Sequence, residues 1–72
     1  MNMNQAALKE SVQQLAEEAF HQRLISGYGD GEYDGEYQIV YKGKPRHLSL
    51  EYAQNLLRTL ILLNRLREEA VL

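Results

Sequence analysis

The stretch Asp30-Gly31-Glu32-Tyr33-Asp34-Gly35-Glu36-Tyr37-Gln38-Ile39-Val40-Tyr41 decides how the rest of the chain is read, because its residue pattern changes part-way along. Up to Gly35 it is acidic and punctuated by glycine. From Glu36 it alternates: Tyr37, Ile39 and Tyr41 fall on one side, Gln38, Val40 and Lys42 on the other, and the β-branched and aromatic content suits a strand. Gly43-Lys44 then supplies a turn and Arg46-His47-Leu48 an antiparallel return. Pro45 has no N–H with which to close a two-residue turn, so the expected connection is a four-residue loop from Lys42 to Pro45. That register sets Tyr41 opposite Arg46, Ile39 opposite Leu48 and Tyr37 opposite Leu50 on one face, with Val40 opposite His47 on the other. The first face is apolar, has a cation–π pair of Arg46 with Tyr41 at its rim, and is expected to be buried.

Upstream, Gly27 to Gly35 holds four glycines in nine residues and reads as a loop, since glycine loses most backbone entropy on ordering. Before it, residues 4–26 read as a helix. Leu8, Val12, Leu15 and Ala19 recur at spacings of four, three and four, with Ala16 and Phe20 widening the stripe. Asn2 or Asn4 can cap its start, and Gly27 suits the left-handed residue that ends many helices.

Downstream, Ser49 is a good N-cap for a second helix running over residues 49–70. Leu50, Ala53, Leu56, Leu57, Leu60, Ile61, Leu63 and Val71 cover about half of the helical circumference, and Leu62 and Leu66 lie outside even that arc. One helix and a hairpin cannot cover so much apolar surface. A second copy of the chain is the simplest supplier of the rest.

These elements imply one α+β domain over residues 1–72 in the order helix, hairpin, helix (αββα), with both helices on one face of a two-stranded hairpin and a dimer formed by helix 2. Size points the same way: a 72-residue chain without cysteine has neither disulfides nor thiolate–zinc sites to support a small core. The polar N-terminus lacks the pattern of a signal peptide, and no apolar run approaches the roughly 20 residues of a membrane span, so the chain reads as cytoplasmic, with no membrane partner.

Candidate sites are few. The acidic repeat resembles the first half of a calcium loop, with Asp30, Glu32, Asp34 and Gly35 at positions one, three, five and six. Tyr41 stands at position twelve, where the bidentate Glu belongs, and the segment after Gly35 is strand-like rather than helical. Metal ligands and cofactors are therefore not assigned, and weak divalent-metal binding is kept as an alternative. Tyr28 and Tyr33, with Asp30, Glu32 and Asp34, have the composition of a recognition loop. Lys44 and Arg46 extend the candidate protein contacts to the hairpin tip. With Lys42 they also offer a basic β-ribbon for nucleic acid, which the adjoining acidic loop and the net charge of −2 disfavour. Leu56, Leu60, Leu63 and Asn64 are the dimer-interface candidates, Asn64 as a polar residue within an apolar arc that could set register. No nucleophile–base arrangement or phosphate-binding glycine loop stands out, so no catalytic residue is named and no enzyme expected. The function expected is that of a small non-catalytic interaction or regulatory protein acting as a homodimer, with a further protein partner that the residues do not identify.

Overall fold

The computed structural model describes residues 3–70. Five elements follow in order: α1 (Met3–His21), β1 (Gly27–Asp30), β2 (Glu36–Tyr41), β3 (Lys44–Ser49) and α2 (Leu50–Ala70). The strands form one antiparallel sheet in the order β1-β2-β3. The sheet therefore has three strands rather than the expected two, because Gly27–Asp30 pairs with the free edge of β2 instead of forming a loop. Both helices lie on the face that presents Tyr37 and Ile39.

Helix α1 is shorter than its sequence suggests. Its end at His21 is closed by two hydrogen bonds, Leu24 N–H to the Ala19 carbonyl (2.9 Å) and Arg23 N–H to the Phe20 carbonyl (3.0 Å). This is a Schellman closure, and its left-handed residue is Arg23 (φ 64°), not Gly27. Residues 22–26 then cross to the sheet, burying Ile25. Asn4 lies inside the helix rather than capping it, and Asn2, like Val71 of the expected helix 2 arc, is outside the described residues.

The β2–β3 register differs from the expected one by two positions. Tyr41 faces Lys44, Val40 Pro45, Ile39 Arg46, Gln38 His47 and Tyr37 Leu48, around a two-residue turn with φ of 55° at Lys42 and 78° at Gly43. Positive φ at both positions is the hairpin geometry that matches strand twist. Pro45 is compatible with it because hydrogen-bonded and non-hydrogen-bonded pairs alternate. Tyr41 and Lys44 close the turn, so Pro45 turns its nitrogen to solvent, where an edge strand tolerates proline. A shift of two residues preserves sidedness, and Arg46 and Leu48 remain on the helix-facing side as expected. Alternation also leaves the backbone groups of Pro45, His47 and Ser49 on one free edge and those of Tyr28 and Asp30 on the other.

The core is Val12, Ala16, Ala19, Ile25, Tyr37, Ile39, Leu50, Ala53, Leu57 and Ile61. Alanines at 16, 19 and 53 allow the helices to approach closely. Gln54 donates to Ser11 (3.1 Å) and Asn64 to Gln22 (3.0 Å), so the two helices run parallel and α2 extends beyond the end of α1. Ser49 caps α2 as expected, its hydroxyl accepting the Tyr52 N–H at 3.2 Å.

Candidate functional site

The acidic repeat becomes the β1–β2 turn. Gly31 N–H donates to the Glu36 carbonyl (3.0 Å) and Glu36 N–H to the Tyr33 carbonyl (3.1 Å), leaving Glu32, Tyr33 and Asp34 exposed at the tip. Asp30 ends β1 and pairs with Lys9 at 3.0 Å, a solvated contact worth no more than about 1 kcal/mol. Among the described residues no three His, Asp or Glu side chains converge as a metal-ion site would require. Tyr33 is 67% exposed while Tyr37 is 0% exposed. The Tyr37 hydroxyl has no hydrogen-bond partner among the described residues, and burial, reinforced by nearby Tyr28 and Asp30, pushes its pKa up to about 12.

The basic hairpin tip lies at the other end of β2, roughly 17–20 Å away for a strand of this length. The contact candidates therefore form two separate groups. Tyr28 joins neither, resting edge-on against Phe20 with ring centroids 5.6 Å apart. Arg46 is turned inward: its guanidinium lies 5.4 Å from the Tyr41 ring centroid and donates to the Tyr41 carbonyl at 3.3 Å, while its buried Nε has no partner. Lys42 also covers the Tyr41 ring, at 5.4 Å. Lys42 and Lys44 stay exposed, and they are the two cations left to a ribbon-type reader.

Beside this tip lies an open groove of about 1210 Å³. Three elements build it: the end of α1 with the segment that follows, the β2–β3 turn, and the last turns of α2. Its apolar part comes from Phe20, Leu24, Ile25, Tyr41, Leu60 and Leu63, and its cations are Arg23, Lys42 and Arg67, with His21 beside them. Among the described residues, no aspartate or glutamate lines it. Arg67 is held in place by donating to Asn64 Oδ1 (3.2 Å), and Asn64 is itself tied to Gln22. Sequence reasoning missed this groove and singled out neither Arg23 nor Arg67. A signal was present: the α1 stripe of Leu8, Val12, Leu15 and Ala19 would next fall on Gln22, Arg23 and Ser26, all polar, whereas Leu24 and Ile25 are out of phase.

The second surface is the outer side of α2. Tyr52, Leu56, Thr59, Leu63 and Leu66 follow one another at spacings of four, three, four and three, the repeat that aligns a stripe with a partner helix. Tyr52 is 67% exposed, Leu63 56% and Leu66 51%, so this chain's own core leaves the stripe largely uncovered. Of the four interface candidates, Leu56 and Leu63 lie on it. Leu60 is half-buried beside the core, and Asn64 is engaged with Gln22 and Arg67 of its own chain.

No family model, curated protein or solved structure matches the chain.

The remaining reactive groups have structural partners or lie apart. Ser11 accepts from Gln54, Ser49 caps α2, and His21 tilts against Phe20 at 6.3 Å. His47 is exposed on the outer face of the sheet. No helix among the described residues is long and apolar enough to cross a membrane.

Proposed function

We propose that this chain is a small non-catalytic interaction protein that works as a homodimer, pairing through the outer stripe of α2. The observation that carries this reading is the heptad-spaced run from Tyr52 to Leu66, in which Tyr52, Leu63 and Leu66 are exposed and Leu56 is half-buried at the edge of the core. Two such stripes fit each other antiparallel about a two-fold axis near Thr59. Tyr52 then meets Leu66 of the partner subunit, and Leu56 meets Leu63 of the partner subunit. A small residue at the axis favours close approach. Covering the exposed part of each leucine contributes about 1 kcal/mol, and the two-fold axis counts every contact twice. A chain of this size without disulfides gains most from such a partner. The inward turn of Arg46 removes one of three cations from the ribbon reading, so the geometry supports protein contact over nucleic acid.

Light scattering on a sizing column tests the proposal. The wild-type chain is expected at twice its monomer mass. Leu66→Glu is expected to elute as a monomer with unchanged helical circular dichroism. A wild-type chain that stays monomeric at the highest attainable concentration overturns the reading.

A further inference from the structure

Among the described residues, two that are not glycine adopt positive φ: Arg23 (64°) and Lys42 (55°). Both occupy positions where glycine or asparagine is at lower energy, one at a Schellman closure and the other first in a two-residue hairpin turn. A Cβ in the left-handed region is unfavourable, and nothing in either turn's hydrogen bonding needs a long cationic side chain. Yet both residues are long cations, and both line the same groove. Residues held in disfavoured backbone conformations concentrate at functional positions. Their coincidence here, with Arg67 bonded to Asn64 and no carboxylate side chain among the described lining residues, marks the groove as built for negative charge.

We infer that the groove between the end of α1, the β2–β3 turn and the end of α2 binds an acidic peptide segment of a partner protein. Arg23, Lys42 and Arg67 receive its carboxylates, and Leu24 and Leu60, which lie off the dimer stripe, receive one bulky apolar side chain between them. The groove is open and larger than the usual enclosed small-molecule site, which suits a chain segment. Guanidinium groups match carboxylates in a two-pronged geometry. A nucleic-acid strand fits less well, because stacking needs free aromatic faces. Tyr41 is covered by Lys42 and Arg46, and Phe20 is engaged by Tyr28.

The test is fluorescence anisotropy with the labelled peptide Glu-Asp-Glu-Leu-Phe-Glu-Asp-Glu. Saturable binding of one peptide per chain is expected, weakening as salt screens the charges. Arg23→Gly and Lys42→Asn are each expected to weaken binding about tenfold, the equivalent of one lost charged contact. Each is also expected to raise Tm by about 4 °C or more through relief of the backbone. That opposite movement of affinity and stability is what a merely structural residue would not give. Equal binding of a peptide with Gln and Asn in place of its acids overturns the inference. So does unchanged affinity in both variants, an unchanged Tm in both, or tighter binding of an oligothymidine of similar length. Open-ended oligomers of the wild-type chain that dissolve on Glu32→Gln with Asp34→Asn would make the occupant the acidic turn of another copy, and the partner-protein inference falls. Leu66→Glu disrupts the α2 stripe but lines no part of the groove, and is expected to leave peptide affinity unchanged. Failure of dimerisation and failure of the groove are thereby read separately.

Discussion

The two copies of Asp-Gly-Glu-Tyr, residues 30–33 and 34–37, are identical in sequence and opposite in fate. The first ends in a tyrosine that is largely in water, the second in one sealed into the core. Their glycines differ too. A Cβ on Gly31 would lie 2.5 Å from the Glu36 Cβ and 2.8 Å from its carbonyl carbon, so that residue is held by close approach. Gly35 is held by its φ of 82°. The difference shows that a tetrapeptide carries no structure of its own here. Position relative to β2 assigns each residue its role: the first copy starts within β1 and finishes in the turn, while the second starts in the turn and finishes on β2.

The comparison breaks most visibly at the tyrosines. Tyr37→Ala is expected to cost about 3–5 kcal/mol by opening a core cavity, and Tyr33→Ala to stay within about 0.5 kcal/mol, both read by urea denaturation. Similar losses at both would abolish the asymmetry.

Alkaline titration comes next. A phenol whose pKa rises from 10.0 to about 12 on folding keeps its proton more tightly when folded. Stability is therefore unaffected by this group below pH 10 and falls as pH rises from 10 towards 12, at a slope of roughly 1.4 kcal/mol per pH unit. Stability measured across that range is expected to fall less steeply in Tyr37→Phe than in the wild-type chain.

The glycines offer a finer test. Gly31→Ala is expected to cost about 2 kcal/mol because the added Cβ meets backbone that must shift, and Gly35→Ala about 1 kcal/mol, chiefly through its dihedral. Equal costs in thermal melts would mean that the turn relaxes around Gly31. The smallest expected effect is a gain. Tyr37→Phe removes a buried hydroxyl that has no partner and is expected to add about 1 kcal/mol at neutral pH.

Legibility in the sequence followed side-chain periodicity. Helix α2, its Ser49 cap and the buried face of Tyr37 and Ile39 could be read because apolar side chains repeat at the helical or strand period and a hydroxyl stands where an N-cap is needed. Strand β1 could not. Gly27-Tyr28-Gly29-Asp30 has little strand propensity, and it forms a strand because its backbone satisfies the open edge of β2. The end of α1 was misplaced because Gly27 looked like the natural stop, while tertiary packing of Leu24 and Ile25 imposed an earlier one at Arg23. At Pro45 the missing N–H was counted against a two-residue turn, although the register turns that position to solvent. The candidate site fared as the elements did. The α2 surplus was legible as an apolar arc, but its division into a core-facing side and an outer stripe required knowing where α1 lies. The groove joins three segments far apart in sequence and left almost no local trace.

The free edges of the sheet also determine how its amide protons meet solvent. Glu36 turns its N–H back to Tyr33, and each later residue of β2 directs its N–H to one neighbouring strand or the other, so the strand is protected from Tyr37 onward and its exchange should require global opening. On the flanks protection should alternate: slow at Gly29 and Arg46, fast at Tyr28 and His47. In a sheet only three strands wide, the slowest-exchanging amides form a single line through the middle of the molecule, and that line begins at Tyr37, the residue on which the second tetrapeptide ends.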